Sequence, residues 1–288
     1  MSRTNMPKVV MNPASVKRTT LRPTRGWAPI DLLELWGFRD LLTVLAGRDV
    51  KLRYKQTLLG VAWVLLQPLL AAGILSFVFG VIAGMKSADL PYPIICFAGM
   101  LGWAVFGSTL SKTSMCMVGN AALVSKVYFP RIILPFSTVA ATMLDLAVSM
   151  VPMAVLIAIW RIGLSWACLS LPLWIALLLM MSLGLGLVAA ALTVSYRDVQ
   201  HILPVLVPFL MYASPVGYVV QSVPSSYRHI YFLVNPIASL IEGFRWSLIG
   251  TAPPPAWAVV YSAAVATVLF VLGAAVFRRM ERRFADVI

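Results

Sequence analysis

Charged residues divide this chain into long apolar intervals. No Asp, Glu, Lys or Arg occurs in 56–85, 90–111, 162–196, 199–227 or 246–277, and the interval 132–160 is broken only by Asp145. A helix needs about 20 apolar residues to cross the hydrocarbon core of a bilayer, and each interval holds one. The pattern predicts an all-α integral membrane protein, with a transmembrane domain at 58–277 and six spans at about 58–83, 93–117, 134–160, 170–194, 201–221 and 256–277.

Three further segments are predicted to be helical without crossing. Residues 29–57 contain DLLELWGFRDLLTVLAG at 31–47, in which Leu32, Leu35, Trp36, Leu42 and Leu45 share one face while Arg39 and Asp40 stay wet. Asp31 and Glu34 after Pro29 have the spacing of a capping box. A short amphipathic helix with internal charges lies in the membrane interface or against a partner subunit. In 118–133, Gly119 ends the second span, and Asn120 starts a short helix over about 120–129 that Pro130 stops. It is expected to expose Lys126, Tyr128 and Arg131, a form suited to docking into a groove on another protein. In 222–250, apolar residues are mixed with Arg228, His229, Glu242 and Arg245. Asn235-Pro236 reads as an N-cap followed by Pro at the first helical position, and Gly250 as the end of that helix. Glu242 and Arg245, three apart, can pair on one face. Two short re-entrant helices capping a cavity from the outer side are predicted, because irregular backbone at membrane depth needs cover by protein or a water-filled cavity.

Composition sharpens the class. Hydrophobic residues make up 60% and charged residues 11% of 288, against about 45–50% and about 25% in soluble domains. The mean hydropathy is +0.89. A net charge of +13 could suit nucleic acid, but 11 of the 23 basic residues fall in the first 55 positions and four in the last 11. With six spans, 18 basic residues lie on inner segments and 4 on outer loops, which predicts cytoplasmic termini and no nucleic-acid partner. Residues 1–28 then form a flexible basic tail and 278–288 a second one, and no apolar core precedes Leu58 that would serve as a cleaved signal. The three cysteines lack metal spacing, His201 and His229 lie far apart, and no metal site is expected.

Catalytic patterns are missing. There is no G-x-x-x-x-G-K-[ST] (Gly102 to Gly107 continues into Ser-Thr without the lysine), no G-x-S-x-G and no H-E-x-x-H. The chain reads as a path rather than an enzyme, driven by an ion gradient or by a separate ATPase. Two ionisable residues fall inside spans, Lys112 and Asp145. Such groups cost at least about 2.5 kcal/mol near the bilayer centre and are functional by default. They read as part of a proton relay, as a structural ion pair between neighbouring helices or, for Lys112, as a lysine snorkelling to the inner interface.

The string Arg48-Asp49-Val50-Lys51-Leu52-Arg53-Tyr54-Lys55-Gln56-Thr57-Leu58-Leu59-Gly60, followed by Trp63 and Gln67-Pro68, resembles the start of the first span in ABC-2 type transport permeases. The nearest branch is the exporters of polysaccharides and polyol phosphates, which carry O-antigen, capsule or teichoic acid. Further motifs follow in family order: Pro91-Tyr92-Pro93 with Gly99, Asn120 to Leu123 with Lys126 to Arg131, Tyr196-Arg197-Asp198, Ser214-Pro215, and Asn235-Pro236 with Glu242-Gly243-Phe244-Arg245. The likeness covers about 30–280.

The resemblance implies a homodimer enclosing a channel and two copies of a separate ABC ATPase subunit. ATP and Mg would be bound on that subunit, and no cofactor on this chain. The helix at 120–129 becomes the coupling helix, touched by the interface helix, and Asn120, Leu123, Lys126, Tyr128, Arg131, Arg197 and Asp198 become the ATPase-coupling residues. The cargo becomes an undecaprenyl-diphosphate-linked polysaccharide moved outward across the bacterial plasma membrane, the inner membrane in a Gram-negative cell. Arg48, Lys51, Arg53 and Lys55 stand where a lipid diphosphate would enter, although topology and attraction to anionic lipid also account for them. Trp103, Phe106, Phe209 and Tyr212 are candidate channel aromatics for stacking on sugar faces, with lipid contact as the other reading. Asn235, Pro236, Glu242 and Arg245 would form the outer gate. The alternatives are an ABC-2 drug or small-lipid exporter, against which the motifs at 48–68 speak, an ion-coupled flippase, for which internal repeats would be expected, and a membrane enzyme of glycan assembly.

Overall fold

The computed structural model describes residues 36–54, 62–85, 90–127, 129–163, 165–281 and 284. The tail 1–28, the predicted capping box at Asp31 and Glu34, Lys55 and Tyr128 lie outside the described residues, as does the side chain of Arg53. Every regular element among the described residues is helical. In order they are α1 (Arg39–Tyr54), α2 (Ala62–Leu75, continued by a π-helical stretch Ser76–Ile82), α3 (Tyr92–Gly119), α4 (Ala121–Lys126), α5 (Ile133–Ile159), α6 (Leu171–Ser195, after a 3₁₀ turn Trp166–Ser170), α7 (Val199–Ala213), α8 (Ser225–Val234), α9 (Ile237–Ile249) and α10 (Ala256–Glu281).

Among the described residues, five stretches are long and apolar enough to cross a bilayer: Leu65–Ile82, Tyr92–Gly119, Ile133–Ile159, Trp166–Ser195 and Ala256–Glu281. The chain is an all-helical integral membrane protein. Within the span predicted at 201–221 the helix is α7, with 15 residues. At a rise of about 1.5 Å per residue it reaches about 22 Å, so the segment after it has to complete a crossing of about 30 Å. Pro204 and Pro208 each remove a donor from its hydrogen-bond ladder. It ends at Ala213 because a residue before proline is disfavoured in the α region, and Ser214, before Pro215, is extended at ψ 155°.

α1 reaches further than the predicted helix at 31–47. Gly47 does not end it, since the residues that follow include the good helix formers Arg48, Lys51 and Leu52. The predicted apolar face divides, with Leu45 of α1 4% exposed and Trp36, ahead of α1, 67% exposed. α4 is shorter than the predicted 120–129, because Val127 is already extended.

α3 forms the centre of the bundle and packs against α5, α6 and α9. Ile94, Phe97, Leu101 and Phe106 of α3 are buried together with Leu240 and Phe244 of α9. α6 and α10 touch through their backbones: a Cβ on Gly273 would stand 2.2 Å from the carbonyl oxygen of Gly184. Glycine permits this approach, and in lipid such packing drives helix association. A second apolar cluster joins Leu45 of α1, Met117 at the end of α3, Val124 of α4, Ile133 at the start of α5, and Phe277 with Phe284 near the C-terminus. The two ends of the described chain and the 118–133 loop therefore meet at one end of the bundle. Outward rows such as Phe77, Val81 and Ile82 on the α2 segment stay exposed, as lipid-facing surface does.

Candidate functional site: a cavity with a polar stripe, an ion-paired clamp and a basic end

A cavity of about 540 Å³ opens between α2, α3, α5 and α7. Its polar lining follows helical spacing. Ser108, Ser111 and Lys112 lie on one face of α3, Thr142, Asp145 and Ser149 on one face of α5, and Gln67 comes from α2. Lys112 Nζ stands 2.8 Å from Asp145 Oδ2 and donates to Thr142 Oγ1 at 3.3 Å. The pair is therefore interhelical, and the lysine points to α5 rather than only toward the interface. Both side chains border the cavity, 25% and 13% exposed.

The four candidate channel aromatics are not brought together. Trp103 lines the cavity. Phe106 lies 5.3 Å behind it, centroid to centroid, and is fully buried, so it supports the wall and does not face the opening. Phe209 and Tyr212 sit on an exposed face of α7 with Val205 and Leu206, while Val207 and Met211 of the same helix face the cavity.

The break after α7 is held by a polar network, exposed at Ala213 and buried from Ser214 to Gly217. Non-helical backbone at this depth needs partners for each carbonyl. Ala213 O accepts from Tyr218 and Tyr231 hydroxyls and from Asn235 Nδ2. Pro215 O and Val216 O accept from Arg245 Nη2 at 2.6 and 3.1 Å, and Gly217 O accepts from Tyr92 at 2.7 Å. Arg245, with no exposed side-chain surface, also donates to Ile95 O and, at 3.0 Å, to Glu242 Oε1. Val220 N–H donates to the same carboxylate oxygen at 2.8 Å. Burial pushes the Glu242 carboxyl above its ordinary range, against the pull of the Arg245 guanidinium and the Val220 amide. Gly99 is where α3 meets this segment: a Cβ there would lie 2.3 Å from Val216 O and 2.5 Å from Arg245 Nη2. The predicted side-chain cap by Asn235 is not formed. Its amide serves the Ala213 carbonyl and Ser214 Oγ, while its own carbonyl accepts from Ala238 N–H. Pro236 stands before α9 and not inside it.

At the opposite end, Arg48 of α1 donates to Asn120 Oδ1, and the Asn120 amide donates to Cys116 O at 2.8 Å. Asn120 thus joins α1 to the end of α3 through its side chain, and only its backbone carbonyl starts α4. Arg48 also pairs with Asp49 at 2.8 Å. Lys51 and Lys126 are exposed, Leu123 is half-buried, and Arg197 and Asp198 are exposed in the turn between α6 and α7. Arg131, expected to be exposed, is half-buried: its backbone N–H and guanidinium both donate to Glu281, and it lies over the Phe284 ring. Among the described residues, no group of three His, Cys, Asp or Glu side chains gathers as a metal site.

The signal that would have located the cavity is the polar stripe. Ser108, Ser111 and Lys112, and Thr142, Asp145 and Ser149, recur at three- and four-residue steps inside otherwise apolar helices.

The sequence profile of the ABC-2 type transporter family matches residues 40–249. The chain is 28% identical to the O-antigen export system permease protein RfbA of Myxococcus xanthus over 254 residues, 88% of this chain and 97% of that protein. A Klebsiella pneumoniae protein of the same description is 26% identical over 86% of this chain and 95% of its own length. The polysialic acid transport protein KpsM of Escherichia coli is 25% identical over 81% of this chain and 91% of its own.

Proposed function

The chain belongs to the ABC-2 type transporter family, and from that premise we propose that it is the permease subunit of an ATP-driven exporter of a cell-surface polysaccharide. The observation that carries this reading is the cavity inside the bundle, whose mostly apolar wall carries a stripe of hydroxyls, an amide and an ion pair beside the Trp103 ring. Relatives named for O-antigen export and polysialic acid transport, aligned over most of both chains, support a glycan as cargo. In this reading the glycan is linked to undecaprenyl diphosphate, and Arg48, Lys51 and Arg53 receive the diphosphate at the inner surface.

Two copies of this chain pair to enclose the path, and two ABC ATPase subunits, holding ATP and Mg, bind at the inner end. Exposed Lys126, Arg197 and Asp198 offer the docking contacts, and α1 is tied to the same region through Arg48 and Asn120. The gathering of α1, the 118–133 loop and the C-terminal end at one end of the bundle supports termini on one side. The basic excess of the predicted inner segments supports that side being the cytoplasm, across a bacterial plasma membrane. Glu242 and Arg245 act as a fixed clamp at the outer end, around which the short helices α8 and α9 form the gate.

Deleting the gene tests the reading. Surface polysaccharide is expected to disappear while lipid-linked glycan accumulates inside. Unchanged surface glycan would contradict it.

A further inference from the structure

Among the described residues that line the α2–α3–α5–α7 cavity, Lys112 and Asp145 are the charged ones, one of each sign. At 2.8 Å separation their fields oppose each other, so the wall presents a cation and an anion with no net charge. The other polar liners are the Gln67 amide and the hydroxyls of Ser108, Ser111, Thr142 and Ser149, and a hydroxyl both donates and accepts. The rest of the wall is apolar, with Trp103, Met100, Leu101, Leu146, Val207 and Met211 among its residues. The volume, about 540 Å³, lies within the range of about 300–1,000 Å³ typical of ligand pockets. This set matches a pyranose ring, which carries hydroxyls of either hydrogen-bonding sense, an apolar C–H face and no charge. It does not match a polymer with a carboxylate or phosphate on every unit. With Lys112 engaged by Asp145 and Thr142, the pair offers such a group no net positive charge to offset the loss of its hydration.

A purely structural pair would not need this setting. Well-packed apolar side chains replace buried ion pairs at little cost or with a gain in stability. Here the pair borders open space, with polar residues on both helices aimed into the same cavity. We propose that the cavity is a binding site for an uncharged sugar unit and that the Lys112–Asp145 pair is its specificity determinant, admitting neutral glycans and disfavouring acidic ones. The inference rests on the polysaccharide-export reading and narrows its substrate class.

The test uses a strain lacking the gene, complemented with the full chain or its variants. Chemical analysis of the glycan retained inside the deletion strain is expected to find a repeat without acidic sugars or phosphate. A repeat charged on every unit would overturn the inference and leave the export reading standing, whereas no retained glycan would remove the export reading as well. The double variant Lys112→Met, Asp145→Leu is expected to lower surface glycan about tenfold at normal membrane levels, because its hydroxyl partners are lost. The exchanged pair Lys112→Asp, Asp145→Lys is expected to keep export within about threefold of the unaltered chain, less than the effect of one lost polar contact to the sugar. Wild-type export by the apolar double variant would overturn the inference, since a merely structural pair predicts that outcome. The glycan analysis decides the matter even if a variant fails to insert.

Discussion

Lys112 on α3 and Asp145 on α5 meet at 2.8 Å across two adjacent helices, 33 residues apart in sequence. Each is an ionised group in a mostly apolar bundle and serves as the other's ion-pair partner. Removing one partner of a buried pair costs about 3–5 kcal/mol because the remaining charge is stranded, whereas replacing both costs far less. Their partial exposure moves the expected loss to the lower end of that range. In detergent, Asp145→Ala and Lys112→Ala are each expected to lower thermal stability more than the double variant Lys112→Met, Asp145→Leu. Losses that simply add would contradict the pairing.

The Glu242–Arg245 pair should behave in the opposite way. Arg245 also satisfies the carbonyls of Ile95, Pro215 and Val216, so deleting both charges still strands backbone acceptors. Arg245→Lys, Arg245→Met and the double variant Glu242→Gln, Arg245→Met are all expected to lose about 3 kcal/mol or more. Thermal unfolding of the purified protein checks this, and near-normal stability of the double variant would show that the carbonyl contacts carry little.

Both pairs also show which parts of this molecule are legible in sequence. Charge-poor intervals predicted 93–117 and 134–160, each with one internal charge, and the helices run Tyr92–Gly119 and Ile133–Ile159, since a bilayer sets their length. The same reasoning overran Ala213, because apolar residues continue through a break whose signal was local: Pro204, Pro208 and Ser214-Pro215. Glu242 and Arg245 could be expected to pair from their spacing, but not to grip carbonyls contributed by α3 and by the segment after α7, which only tertiary packing brings near. Asn120 has the chemistry of a cap, yet its side chain is claimed by Arg48 from 72 positions away. Phe106 and Trp103, three apart on one helix, differ in role because the wall is one side chain thick.

A double-mutant cycle measures that inner contact. Arg48→Ala and Asn120→Ala are expected to couple by about 1–2 kcal/mol in stability, as for a hydrogen bond to a charged group. Additivity within about 0.5 kcal/mol would mean that α1 and the start of α4 are not joined there.

Topology gives a fourth check. Ser125→Cys and Arg197→Cys, both at exposed positions that the proposed topology places inside, should react with a membrane-impermeant maleimide only after the cells are opened. Ser226→Cys, exposed at the start of α8, should react in intact cells. Labelling of all three from one side would break the proposed arrangement.

The central claim is that this chain is a conduit moved by another protein's nucleotide. Proteoliposomes holding the full chain, with and without its partner ATPase, and loaded on one side with lipid-linked glycan, test it most directly. Glycan should become accessible on the far side only when both subunits and ATP are present. Transfer at the same rate by the chain alone would contradict the account.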